Sequence, residues 1–109
     1  ISPHPFAHSS RVVTLPLRWT EHAVDQLGGI VDYVSLASPV YAELLVDRLV
    51  MRLAQATTFP LSGRIVPEFA RVDIRELIEP PYRLMYRPLT DCIEVIAIMH
   101  SGQSLRGAP

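Results

Sequence analysis

Four arginines in the second half of the chain, Arg64, Arg75, Arg83 and Arg87, have the residue type and spacing to bind anions. A guanidinium group is planar and offers paired N–H donors, so it binds a carboxylate or a phosphate through two hydrogen bonds. The carboxylates interspersed among them are Glu68, Asp73, Glu76 and Glu79. Residue types alone therefore leave two interpretations. The arginines bind phosphate or a partner's acidic groups, or they form ion pairs between neighbouring strands, which is their commoner use.

His100 is the residue best suited to move a proton. Imidazole changes charge near neutral pH, so a histidine placed beside Arg83 and a carboxylate such as Glu68 or Glu76 could act as an acid or a base during cleavage of a phosphodiester. A histidine at the end of an apolar strand is more often a structural residue at the rim of the core. Both roles are kept as hypotheses, and the structural one is favoured.

No metal or cofactor is predicted for this chain. His4, His8, His22 and His100 show no ligand spacing with Cys92 or with the carboxylates. A single cysteine forms no internal disulfide, so nothing indicates an oxidising compartment. The expected compartment is therefore the cytoplasm.

The composition fits one compact domain that has no overall affinity for polyanions. The chain has 109 residues, of which 49% are hydrophobic, enough for one core and too few for two. Ten arginines and no lysine oppose eleven carboxylates, and the net charge of -1 gives the whole molecule no attraction to nucleic acid or to an anionic membrane. The longest apolar run is far shorter than the ~20 residues of a membrane span. Any binding to a polyanion must therefore be local.

A strand and a helix are the first predicted elements. Apolar and polar residues alternate over 13–19, which is the pattern of a half-buried strand, and Pro16 favours a sheet edge or a bulge. A helix over 21–37 follows, with its apolar residues on one face. Gly28 and Gly29 each weaken that helix by about 1 kcal/mol relative to alanine. A tertiary contact at these glycines is therefore expected to compensate.

A second helix and three strands complete the pattern. Ser38 is the predicted cap of this helix and Pro39 its first residue. Its apolar stripe, over residues 42–56, predicts an antiparallel hairpin with the first helix. Three strands are predicted after it, over residues 73–78, 82–87 and 92–100. The short turns between these strands favour antiparallel pairing.

These elements predict the fold class α+β. The expected order is β-α-α-β-β-β, with the helical hairpin packed on one face of a small, mainly antiparallel twisted sheet. The ordered domain is expected over residues 12–100. A flexible N-terminal segment, residues 1–11, and a flexible C-terminal tail, residues 101–109, are expected to flank it.

Five phrases of sequence stand in a fixed order around the predicted hairpin. They are Trp19-Thr20 followed by Ala23; Phe59-Pro60 to Gly63-Arg64 with Val66-Pro67-Glu68; Ile74-Arg75-Glu76-Leu77; Tyr82-Arg83-Leu84-Met85-Tyr86-Arg87; and the strand from Ile93 to His100. Together they resemble the RelE/ParE superfamily of bacterial toxins over about residues 15–100. The resemblance implies a microbial-RNase-like sheet, an activity toxic to bacterial cells, and a partner antitoxin that wraps part of itself over the toxin.

The resemblance implies one of two activities. In the RNA-cutting members, an arginine that matches Arg83 helps to hold the phosphate while messenger RNA is cleaved on the ribosome, assisted by further basic residues and a tyrosine or histidine near the C-terminus. This chain keeps Arg83 and His100 but has no lysine and no C-terminal basic cluster. Gln103 also stands where ParE-like toxins usually have an arginine. The ParE branch implies inhibition of DNA gyrase by protein contact, without a catalytic set.

The prediction is therefore a non-enzymatic gyrase inhibitor of the ParE type, neutralised by a cognate antitoxin in a hetero-oligomer. Arg64, Arg75, Arg83 and Arg87 are the predicted target-binding residues, because arginine is frequent at interface hot spots. A ribosome-dependent messenger RNA endonuclease is the alternative, in which these arginines bind phosphate and Arg83 and His100 are catalytic. A non-catalytic RNA-binding domain ranks third, because the net charge is low and exposed aromatic residues are not interleaved with the arginines.

Overall fold

The computed structural model describes residues 14–101, which contain five strands and two helices. They are β1 (Leu17–Trp19), α1 (Glu21–Ser35), α2 (Pro39–Thr58), β2 (Arg64–Ile65), β3 (Arg75–Glu79), β4 (Tyr82–Pro88) and β5 (Ile93–His100). The strands form a single sheet in the order β1-β5-β4-β3-β2. Both helices pack on one face of this sheet. The predicted α+β class, with a helical hairpin on a small sheet, is confirmed.

Pairing within the sheet is antiparallel except at the β1 edge. β2 with β3, β3 with β4 and β4 with β5 are antiparallel, whereas β1 runs parallel to β5 with Leu17 beside Ile93. The amide of Ile93 also donates to the carbonyl of Pro16. Pro16 has no N–H to donate, so a position beside an edge strand suits it, as its sequence position predicted.

The ends of several elements differ from the prediction. The first strand begins at Leu17, because Leu15 donates its amide to the carbonyl of Thr57, at the end of α2, and not to the sheet. β2 was not predicted, since a strand of two residues is too short to show alternation. The expected flexible segments, residues 1–11 and residues 101–109 apart from the first, lie outside the described residues.

Side-chain caps begin both helices where the sequence predicted. Thr20 accepts a hydrogen bond from the amide of Ala23 at 3.1 Å, and its hydroxyl donates to the carbonyl of Val95 in β5. Ser38 accepts from the amide of Tyr41 at 3.1 Å, directly before Pro39. Each cap satisfies an amide that has no partner within its helix. The bond to Val95 also fixes the start of α1 on the sheet.

The buried hydrophobic residues of the described part of the chain form two clusters, one on each face of the sheet. Beneath the helices lies the larger cluster, which joins the inner faces of α1 and α2 to Leu84, Tyr86 and Val95 of the sheet. On the opposite face lies a smaller cluster, built from Val66, Ile74 and Met85 with Phe69, Ile96 and Met99 packed against it. Several of these residues come from the segment between β2 and β3. This segment therefore covers part of the sheet face that the helices leave open.

Gly28 and Gly29 are exposed in the middle of α1. A β-carbon added at either position would have no heavy atom within 4 Å, so the compensating contact expected from the sequence is not present in residues 14–101. We expect Gly28→Ala and Gly29→Ala each to raise the free energy of unfolding by about 1 kcal/mol, because alanine loses less backbone entropy in a helix. Thermal unfolding followed by circular dichroism should show a rise of about 4–8 °C for each variant. A fall in either melting temperature would contradict the open surroundings of α1.

Candidate functional site

Three of the predicted anion-binding arginines, Arg64, Arg83 and Arg87, lie on the sheet face opposite the helices, whereas Arg75 shares the helical face with its pairing partner Tyr86. Along β4 the side chains alternate, so Tyr82 and Tyr86 face the helices while Arg83 and Met85 face the other way. Arg64 and Arg75 lie on β2 and β3, and Arg87 lies near the end of β4. The surroundings of each guanidinium group therefore decide which of them can reach another molecule.

Arg83 is buried between two carboxylates. Only 6% of the residue is exposed. Its Nε donates to Oε1 of Glu76 at 2.8 Å, and its two Nη atoms donate to the two oxygens of Glu68, each at 2.8 Å. Glu76 belongs to β3 and Glu68 to the segment between β2 and β3. The paired donors that would hold a phosphate are thus occupied by the protein's own carboxylates.

Glu76 connects Arg83 to a second arginine. Its residue is only 1% exposed, and its other oxygen, Oε2, accepts a hydrogen bond from Nε of Arg64. A carboxylate can be buried in this way because two guanidinium groups compensate its charge. Arg64, Glu76, Arg83 and Glu68 form a chain of alternating charge, which we call the ion-pair cluster. The cluster as a whole is electrically neutral.

Glu68 gives the ion-pair cluster a measurable dependence on pH. Hydrogen bonding to Arg83 lowers the pKa of Glu68 from 4.5 to about 2, against the opposing effect of desolvation. The same hydrogen bonds raise the pKa of Arg83. A carboxyl group whose pKa is lower in the folded state stabilises the fold at a pH above its unfolded pKa. Its contribution is lost as the pH falls through the folded value.

We expect the stability of the protein to fall as the pH is lowered from about 5 to about 2, and we expect Glu68→Gln to flatten this dependence. The glutamine variant should be less stable than the parent at neutral pH, and the difference should shrink towards pH 2 because Glu68 becomes protonated. Urea unfolding at a series of pH values measures both curves. Parallel curves for the two proteins would show that Glu68 does not form this ion pair in solution.

The other arginines of residues 14–101 also donate to protein acceptors. Arg87 and Arg18 share Glu94, which joins β4, β5 and β1. Arg75 donates to the carbonyls of Leu61 and Gly63 and so holds the segment that follows α2. The remaining pairs are Arg48 and Arg52 with Glu79, and Arg71 with Asp73. Most of these contacts are ion pairs, which is the commoner of the two uses of arginine that the sequence left open.

His100 lies at the end of β5, against Tyr82. The two rings meet edge to face with centroids 5.7 Å apart. Both line a cleft of about 440 Å³ between α1 and the ends of β4 and β5. The other residues of the cleft are Gln26, Gly29, Ile30, Tyr33 and Ile98. His100 therefore faces the helical side of the sheet, as Tyr82 does.

The structure does not bring Arg83 and His100 together. Successive residues of a strand point to opposite faces, and His100 shares the face of Tyr82. Arg83 is thus directed to the face opposite His100. Glu76 joins Arg83 and Arg64 into one group, whereas Arg75 and Arg87 have separate contacts. The two residues proposed as a catalytic set for RNA cleavage lie on different sides of the sheet.

Glu68 and Glu76 were considered as possible partners of His100, but the structure places both on Arg83. A signal for the pair with Glu76 was present in the sequence. A turn at Pro80-Pro81 pairs Glu79 with Tyr82, which sets Ile78 opposite Arg83 and leaves Glu76 as its diagonal neighbour on the same face. The contact with Glu68 depends on the path of an irregular segment, and no periodic pattern reports that path.

Residues 14–101 contain neither a candidate metal site nor a candidate membrane span. No group of three histidine, cysteine, aspartate or glutamate side chains among residues 14–101 is placed to hold a metal ion. Neither of the two helices described is long and apolar enough to cross a bilayer.

Comparison with known proteins decides the family. The family model described as the ParE toxin of the type II toxin–antitoxin system parDE matches residues 17–105. This chain belongs to the ParE toxin family. It is 29% identical to Toxin RelE2 of Caulobacter vibrioides over 86 residues, which cover 78% of this chain and 93% of that protein. The resemblance to the RelE/ParE superfamily that was inferred from five phrases of sequence is confirmed.

A solved structure leads to the same family. A chain of the chromosomal ParDE TA system from P. aeruginosa matches this ParE-family toxin with a TM-score of 0.63 and 26% identity, over 80% of this chain and 96% of that one. The toxin is thus one component of a type II toxin–antitoxin system. Membership of the family implies an antitoxin as its partner.

Proposed function

We propose that this toxin inhibits DNA gyrase in the bacterial cytoplasm by protein–protein contact and breaks no bond itself. The observation that carries the proposal is the state of Arg83, whose guanidinium group is buried and bonded to Glu68 and Glu76. In an RNA-cutting relative, the matching arginine must be open to the phosphate. Here that position is filled, which favours binding over cleavage.

Electrostatics adds to this argument. Cleavage of a phosphodiester passes through a state with extra negative charge, which an enzyme stabilises with preorganised positive groups. Around Arg83 the nearest charged groups are the carboxylates of Glu68 and Glu76, and they would repel that state. His100, the acid or base of the RNA-cutting alternative, faces the other side of the sheet. Inhibition by protein–protein contact does not require Arg83 or His100 to act on RNA.

Arg64 and Arg87 are the predicted anchors that remain accessible. Their side chains are 59% and 41% exposed, although each donates to a carboxylate. We propose these two as contacts to the target, because a half-exposed arginine can bind a partner's acidic group without leaving its own. Arg83 and Arg75 then have structural roles. Arg83 holds the segment between β2 and β3 through Glu68, and Arg75 holds the segment after α2 through Gly63.

The proposal is tested by supercoiling of relaxed plasmid with purified gyrase and this toxin, with and without the antitoxin. We expect inhibition that the antitoxin relieves. Arg64→Ala and Arg87→Ala should each weaken inhibition by about tenfold, a typical loss at an interface anchor. Arg71→Ala is the matched control, because Arg71 is similarly exposed and its ion pair among the described residues is with its near neighbour Asp73. It should inhibit as the parent does.

A toxin that does not inhibit supercoiling would make the ribosome the proposed target. If the toxin stops growth but leaves supercoiling untouched, gyrase is not its target. Cleavage of messenger RNA on isolated ribosomes would then be measured for the parent and for His100→Ala and Arg83→Lys. Loss of cleavage in folded variants would identify an endonuclease, with Arg83 released from Glu68 on binding RNA.

A further inference from the structure

The tip of the helical hairpin carries five exposed apolar side chains. They are Tyr33, Leu36, Val40, Tyr41 and Leu44. Leu36 is 86% exposed and Tyr33 is 77% exposed, and both line a cleft with Tyr41 at the turn between the helices. We call these five residues the tip surface. Contiguous apolar groups of this kind on a protein surface mark sites of interaction.

Carboxylates surround the tip surface, and no ion pair formed within residues 14–101 compensates them. Asp32 lies on α1 one turn before Leu36, and Glu43 and Asp47 lie on α2 beside Leu44. None of these three carboxylates belongs to any of the ion pairs described for residues 14–101. The nearest arginine, Arg48, is held by Glu79, Tyr41 and the carbonyl of Pro80. Arg48 is as exposed as Arg87, so one paired cation stands beside three carboxylates that have no ion pair in residues 14–101. The net charge offered to a partner here is therefore negative, whereas Arg64 and Arg87 offer positive charge at the sheet.

The charge of the tip surface selects among possible occupants. A second copy of the chain would bring the same carboxylates face to face, and an anionic lipid surface would repel them. A partner whose surface carries both basic residues and apolar patches would complement the carboxylates of the tip and its exposed apolar side chains. An enzyme that handles DNA must possess basic surfaces, because it binds a dense row of phosphates.

We infer that the tip surface docks on a basic, DNA-binding surface of the target topoisomerase. This inference rests on the proposed function and adds a second contact to it. Tyr33 and Leu36 enter the apolar part of that surface, while Asp32, Glu43 and Asp47 pair with its lysines or arginines. Contacts of opposite sign, acidic at the tip and basic at the sheet, leave one orientation of the toxin on its target.

The test compares variants of the tip with matched variants elsewhere in the supercoiling assay with purified gyrase. Glu43→Lys and Leu36→Ser alter the tip, and Asp91→Lys and Val72→Ser make changes of the same kind, acid to lysine and aliphatic to serine, at exposed positions away from it. Each tip variant should need about tenfold more toxin for half inhibition and keep its melting temperature. The two control variants should inhibit as the parent does. Inhibition by the parent should also weaken as salt increases or as competing DNA is added.

Three results would overturn the inference. Tip variants that inhibit as the parent does would exclude the tip as a target contact. Tip variants that keep inhibition but lose affinity for the antitoxin would assign the surface to the antitoxin. Tip variants that only abolish a dimer seen by sedimentation would assign it to a second copy. If the parent itself fails to inhibit gyrase, the proposed function fails together with the inference, whereas failure of the inference alone leaves inhibition by the parent intact.

Discussion

Arg83→Ala should lower the free energy of unfolding by about 3–5 kcal/mol, the usual effect of removing one partner of a buried ion pair. The loss arises because the carboxylate of Glu76 is only 1% exposed and would lose one of its two cationic partners. Arg64 alone would remain to compensate its buried charge. Glu68 would also lose both of its bonds to Arg83. Since small domains are typically stable by about 5–15 kcal/mol, much of the stability would be lost. Urea unfolding at neutral pH measures the change.

Two companion variants separate burial from charge. Arg71→Ala removes an exposed arginine that is paired with Asp73, and it should change stability by less than about 1 kcal/mol. The double variant Arg83→Met with Glu76→Leu replaces the buried pair with apolar side chains, and it should recover part of the loss. An Arg83→Ala protein that is as stable as the parent and fails only in the toxicity assay would show that Arg83 serves function and not the fold.

Gly63→Ala should lower the free energy of unfolding by about 2–3 kcal/mol through overpacking. A β-carbon at this position would lie 2.6 Å from the hydroxyl oxygen of Tyr86 and 2.7 Å from the carbonyl oxygen of Glu76. The second contact is with the backbone of β3, which cannot turn away as a flexible side chain can. Tyr86 in turn accepts from the amide of Gly63 and donates to the carbonyl of Pro60. The added methyl group would therefore disturb the exit from α2 and the start of β2 together.

The melting temperature of Gly63→Ala checks this result against the same substitution at Gly28. Adding one methyl group should stabilise the protein at Gly28, where the space is open, and destabilise it at Gly63. Because the substitution is the same at both positions, opposite effects on stability must come from the surroundings of the two glycines. A Gly63→Ala protein that melts with or above the parent would mean that Gly63 is not held against Tyr86 in solution.

The sequence predicted most of the fold because its main elements are long enough to show a period. The stripe of α2 and the alternation along β4 repeat often enough to identify a helix and a strand, and Thr20 and Ser38 mark the helix starts. Periodicity gives no account of β2, which has two residues. It also says nothing of Glu68, whose place beside Arg83 depends on long-range packing.

The candidate site was predicted less completely than the fold. Arg83 was one of four predicted binding arginines and the one that matches the phosphate-holding arginine of RNA-cutting relatives, but its burial could not be known before the segment between β2 and β3 was placed over it. Glu76 was close to being predictable, since the turn at Pro80-Pro81 sets the pairing of β3 with β4. The tip surface was not singled out at all. Tyr33 and Leu36 look like ordinary hairpin residues until the sheet is seen to leave them uncovered.

The order of the strands determines when this toxin can take its shape during synthesis. β5 lies between β1 and β4 in the sheet, although it is the last of the described strands to be made. Until residues 93–100 leave the ribosome, β1 has no neighbour, and Leu84 and Tyr86 lack the strand that completes their layer. Pairing between such distant parts of the chain forms late and slowly. A nascent chain whose residues 93–100 are still inside the ribosome therefore cannot complete this sheet, and the described fold forms only after β5 has emerged.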